Sequence, residues 1–79
     1  MICGIQIRSA RAALKLSAKQ LAERAGIGIQ TIMRFESVDG ITPSRSSKLS
    51  DVQKALEEAG VEFIGSPESG PGVRLWKAK

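Results

Sequence analysis

"LSAKQLAERAGIGIQTIMRFE", Leu16 to Glu36, reads as two runs of helix-forming residues separated by Gly26-Ile27-Gly28. Ser17 followed three residues on by Gln20 is a capping box, and Leu16 just before the cap is placed to reach Leu21 as a hydrophobic staple. A helix therefore starts at Ala18, runs through Leu21, Ala22 and Ala25, and stops at Gly26, which takes the left-handed conformation without steric cost. Gly28 opens the next helix, with Ile32, Phe35 and Glu36 on one face. Asp39-Gly40 and Thr42-Pro43 are expected to end it, since proline pushes its predecessor out of the helical region. Such a pair is either a bend between two core helices or a device that aims the second helix outward.

Working outward, Ile7, Ala10 and Leu14 recur at helical spacing with Arg11 on the same side, which predicts a first helix over about residues 5–14. Ser44-Arg45-Ser46-Ser47 is a loop leading to a cap. Leu49, Val52, Leu56 and Ala59 mark the buried stripe of a fourth helix that ends at Gly60. The period then changes from 3.6 to 2: "VEFI" (61–64) and "VRLW" (73–76) alternate on either side of the turn-rich "GSPESGPG", predicting two short strands. A lone hairpin is marginal in water, so this one must pack on the helices or pair with another chain. Residues 1–60 thus read as one helical domain and residues 61–79 as a C-terminal β extension, a dimerisation or partner-binding element.

Seventy-nine residues make one small domain of modest stability, for which a partner subunit would help. The chain has no histidine, and Cys3 is its only cysteine. The usual transition-metal ligands, an internal disulfide and the commonest general base are all lacking, so no cofactor, no metal and no enzymatic activity are expected. Ser47 and Lys48 are explained by capping and the first turn of the fourth helix rather than by catalysis. The N-terminal apolar patch is broken by Gly4 and Gln6 and followed by Arg8 and Arg11, unlike a signal peptide or membrane span, so a soluble, cytoplasmic protein is expected, with no membrane partner. The net charge of +4 is unevenly placed: residues 1–34 carry +5 and residues 35–79 carry −1. That asymmetry suits a surface facing a polyanion, and equally a plain solvated face.

With Ile32 at the centre of the buried face, Gln30 and Arg34 fall about 160° away on the third helix, with Ile29 and Met33 on one flank and Ser37 extending the outward stripe. Arginine can grip guanine O6 and N7, glutamine can pair with adenine N6 and N7, and apolar side chains can rest on thymine methyls. From the angles alone these are either base-reading residues or ordinary solvated ones.

The order of elements and the residues Leu16, Ser17, Leu21, Ala22, Gly26, Ile27, Thr31, Ile32, Phe35 and Glu36 resemble the helix-turn-helix family of the lambda and 434 phage repressors and Cro, the Xre family, over about residues 5–60. The resemblance implies a mainly α fold, a lambda-repressor-like helix-turn-helix bundle of four to five short helices, here with a short C-terminal β-strand pair. It implies a sequence-specific DNA-binding transcriptional regulator, a repressor, that inserts its third helix into the major groove of double-stranded DNA as a homodimer on half-sites about 34 Å apart. Base reading falls on Ile29, Gln30, Met33 and Arg34. Phosphate contacts fall on Ser17, Ala18 and Lys19, on Gly28, and on Thr42, Ser44 and Arg45. Arg11 and Glu36 point inward on different helices, and the family has a structural ion pair at these two places. Ala18 stands where glutamine is usual, Gly28 where serine or threonine is common, and Ile29 where a polar reader is frequent, which reduces the polar readout. Two alternatives remain open. One is an antitoxin with the same DNA-binding fold and a toxin partner on the C-terminal extension; the other is a protein-interaction module that anchors on Ile29 and Met33 and does not bind DNA.

Overall fold

The computed structural model describes residues 2–38, 47–66 and 68–76. Among these residues four helices, α1 (Gly4–Ala13), α2 (Ala18–Ala25), α3 (Ile29–Glu36) and α4 (Ser47–Glu58), precede an antiparallel hairpin of β1 (Val61–Ile64) and β2 (Gly72–Leu75). The fold is mainly helical with a two-stranded sheet at its C-terminal end. Its boundaries depart from the sequence expectations by small, explicable amounts. The first helix begins at Gly4, because the Gln6 side chain returns to the Cys3 amide at 3.0 Å and caps the start. Gly28 is the N-cap of α3, not its first residue, and α3 ends at Glu36, where the Ser37 hydroxyl donates to the Arg34 carbonyl at 2.7 Å. The second strand is shifted by one residue, so Trp76 lies beyond it.

Two matching stops shape the helix-turn-helix unit. At the end of α2, Gly26 adopts φ 72°, and the Ile27 amide reaches back to the Ala22 carbonyl at 3.0 Å. At the end of α1, Lys15 takes the same left-handed conformation, φ 58°, while the Leu16 amide donates to the Arg11 carbonyl at 3.0 Å. Both are Schellman-type terminations, satisfying carbonyls that the helix ends would leave open. A lysine in this conformation costs about 1–2 kcal/mol, against about 0.5–1 kcal/mol of extra unfolded-state entropy for glycine. Lys15→Gly is therefore expected to raise Tm by about 2–6 °C in a domain of this size. Calorimetry checks it, and a lowered Tm would show that the turn gains more from the lysine than its backbone costs.

The core is one cluster drawn from every element except β2. Ile7 and Ala10 of α1, Leu21 and Ala22 of α2, Ile32 and Phe35 of α3, Leu49, Val52, Ala55 and Leu56 of α4, and Val61 of β1 are buried together, with Phe63 and Val73 of the hairpin packed against them. Ala55, rather than Ala59, completes the inner face of α4. A polar tie adds to this packing. Gln6 is buried, and its carboxamide nitrogen donates to the carbonyls of Ile64 and Gly72, each at 3.0 Å. Its other end accepts from the Cys3 amide, so one side chain satisfies three backbone groups and joins α1 to the far end of the hairpin.

Candidate nucleic-acid interface

The α2-turn-α3 unit presents one helix to solvent. Ser17 and Gln20 cap α2 reciprocally, the Gln20 amide donating to Ser17 Oγ at 3.0 Å and the Ser17 amide to Gln20 Oε1 at 2.9 Å. The turn at Gly26 then swings the chain, and Ile27 tucks against the core to fix where α3 begins. Ile32 and Phe35 of α3 are fully buried, whereas Gln30, Arg34 and Ser37 are exposed. Ile29 is 41% and Met33 60% exposed, so the outward side of α3 carries two apolar side chains beside its polar ones. No acidic residue occurs in the first turn of α2 or α3, so the partial positive charge of both N-termini is left uncancelled locally.

What holds α3 in place is a set of groups on α1, four and three residues apart. Gly4 lies so close to the last turn of α3 that an added Cβ would fall 2.6 Å from the Phe35 carbonyl oxygen and 1.8 Å from that of Val38. Arg8 donates from its guanidinium to the Glu36 carbonyl. Arg11 meets the Glu36 carboxylate with two parallel bonds, Nε to Oε2 at 2.8 Å and Nη2 to Oε1 at 2.9 Å, and its Nη1 donates to the Leu16 carbonyl at 3.1 Å. The hydrogen bonds and charge of Glu36 raise the Arg11 pKa above its ordinary value, with partial burial opposing them. Arg8 and Arg11 are thus scaffold at the C-terminal end of α3. Lys15, Lys19, Arg24 and Arg34 are the exposed cations of the helix-turn-helix half.

Of the residues singled out from sequence, Ser17, Lys19, Gly28, Ile29, Gln30, Met33 and Arg34 lie exposed on this unit, and Ala18 is half-buried beside the core. Thr42, Ser44 and Arg45 lie outside the described residues. Gly28 has an ordinary φ of −76° and nothing within 4 Å of where a Cβ would stand, so no steric demand explains glycine there. Gly4, Gln6 and Arg8 were not legible as positioning residues. The one available signal was the spacing of Gly4, Arg8 and Arg11, which places them along a single stripe of a helix.

A helix-turn-helix family model, of the Xre and lambda-repressor type, matches residues 7–52, more than half of the chain. This chain belongs to the Xre helix-turn-helix family. The match spans all four elements that build the unit, from α1 into α4, and the family is one of DNA-binding regulators. No curated protein matches the chain. Among the described residues, no helix of this Xre-family chain is long and apolar enough to cross a membrane.

Proposed function

We propose that the chain is a sequence-specific transcriptional repressor that lays α3 in the major groove of double-stranded DNA and acts as a homodimer in the cytoplasm. The observation that carries this reading is the division of α3. Ile32 and Phe35 are fully buried while Ile29, Gln30, Met33 and Arg34 all face solvent, and Lys19 and Arg24 of α2 are exposed as well. An arginine and a glutamine one turn apart are suited to guanine and adenine edges, and the two apolar neighbours to thymine methyls. Ser17, Ala18, Lys19 and Gly28 stand at the two helix N-termini, where backbone amides and partial positive charge suit phosphates. Thr42, Ser44 and Arg45 extend the proposed backbone contacts. Bound DNA would be occluded from other proteins, with no covalent chemistry required.

The test is an electrophoretic shift series over salt concentration, using oligonucleotides selected from a random pool. Affinity must fall steeply with salt if several phosphates are neutralised. Arg34→Ala is expected to cost about 1–3 kcal/mol on the preferred site and to relax base preference, whereas Lys19→Ala weakens all sequences alike. Equal loss on preferred and random DNA in the Arg34 variant would remove it as a reader. Salt-independent binding would favour the protein-interaction reading, which the exposed Ile29 and Met33 also support.

A further inference from the structure

One flank of α3 is apolar and open. Met33 has the greatest exposure of the large apolar side chains among the described residues, and Ile29, one turn earlier on the same stripe, is exposed as well. Each adjoins a polar neighbour of the outward face: Gln30 follows Ile29, Arg34 follows Met33, and Gln30 and Met33 stand three residues apart on the helix surface. Residues 1–34 hold six cations and one acid, Glu23, and Lys15, Lys19, Arg24 and Arg34 are exposed. That charge suits a polyanion, which favours a nucleic acid over an apolar protein surface as the occupant of this flank.

On the major-groove floor of DNA, the C5 methyl of thymine is the apolar group that a base pair presents. Covering it with an apolar side chain removes both from water, and an edge without the methyl forgoes that gain. Cytosine and uracil carry hydrogen at C5, whereas 5-methylcytosine carries the thymine methyl in the same place. The two methylated bases differ in the group beside it: thymine presents the O4 acceptor and 5-methylcytosine the N4 amino donor. Telling those apart takes a hydrogen-bonding side chain. Isoleucine has no such group and methionine only a weak thioether acceptor, so this pair registers the methyl and not the base that bears it.

We propose that Ile29 and Met33 read pyrimidine C5 methyl groups as such, so that DNA binding by this chain answers to cytosine C5 methylation as well as to thymine. The proposal rests on the DNA reading above and deepens it by naming what regulates the site. A cytosine at a position faced by either side chain is a poor match until it is methylated at C5, and then equals thymine there. Residues 29 and 33 are separated by about 6 Å along the helix axis at about 1.5 Å per residue. With about 3.4 Å between base pairs, the two methyls they meet lie within about two base pairs of each other. The specificity of Gln30 and Arg34 for purine edges is unaffected by the methyl, so methylation tunes occupancy at a site that those residues still select.

The test uses the full chain and duplexes built on its preferred site. At each pyrimidine position of a half-site, thymine is compared with uracil, and 5-methylcytosine with cytosine, so that the members of each pair differ by one methyl. In an electrophoretic shift, removing the methyl is expected to weaken wild-type binding about fourfold at the positions these side chains face, the ratio that corresponds to one buried CH2. The same factor is expected for 5-methylcytosine over cytosine. Met33→Ala should erase the ratio at one position and Ile29→Ala at another within about two base pairs of it. Both side chains are exposed, so helical circular dichroism should be retained in both variants. Three results overturn the proposal: no methyl dependence at any position, dependence on the thymine methyl but not on that of 5-methylcytosine, or ratios that persist in both alanine variants. Each is read from duplexes that still bind with steep salt dependence, which leaves the DNA reading standing. Absence of salt-dependent binding to any duplex removes that reading and this one together.

Discussion

Gly4→Ala is expected to destabilise the fold by about 2–4 kcal/mol, although alanine is the better helix former by up to about 1 kcal/mol. The two effects have opposite signs, which makes the substitution informative. An alanine methyl would stand 1.8 Å from the Val38 carbonyl oxygen and 2.6 Å from that of Phe35. Neither is the far end of a flexible side chain; both are backbone at the end of α3, so α1 and α3 must separate. Arg8 donates to the Glu36 carbonyl in the same turn, and its contact would be disturbed too. Because α3 carries the proposed reading residues, its displacement should also weaken DNA binding. Urea unfolding followed by circular dichroism measures the first effect and an electrophoretic shift the second. An unchanged or increased midpoint would show that the helices do not approach this closely.

Arg11→Ala is expected to cost about 2–4 kcal/mol, toward the lower end of what breaking a buried ion pair costs because the arginine retains some solvent. The Arg11 and Glu36 side chains keep 28% and 11% of their exposure. Truncating the arginine leaves the more buried carboxylate without its two donors, and the Leu16 carbonyl loses a third. Against a total stability on the order of 5–15 kcal/mol for a domain, either variant removes a substantial fraction. The pair should not be pH-sensitive from its cationic side. Glu36 raises the Arg11 pKa, so the stabilisation is fully present below the arginine's ordinary value and is lost only as pH rises through the raised one. Arg11→Lys tests the geometry separately, since a single ammonium cannot reproduce the two parallel bonds. A lysine variant as stable as the original would show that charge alone suffices.

The two substitutions meet at one place, the C-terminal turn of α3. Gly4, Arg8 and Arg11 all act there, which means that the aim of α3 is set as much by α1 as by the glycine turn before it. The exposed cations that remain, Lys15, Lys19, Arg24 and Arg34, are those free of that structural duty within the helix-turn-helix half. The +5 charge of residues 1–34 therefore overstates the cationic surface, because Arg8 and Arg11 face the end of α3.

By itself the sequence determined that there are four helices among the described residues, the stop of α2 at Gly26 and most of the inner faces. Ser17 with Gln20, Gly26, and the spacing of Ile32 with Phe35 act through contacts within four or five residues, so they leave a periodic signature in the chain. The hairpin was legible for the same reason, through alternation, to within one residue. The tertiary structure alone decided what joins these pieces. Gln6 reaches carbonyls 58 and 66 residues away, and Arg8 a carbonyl 28 away. Gly4 matters only because Val38 folds against it. Such contacts have no period, since they arise where two elements cross, and a lone glutamine or glycine in a string carries no mark of what will lie opposite it.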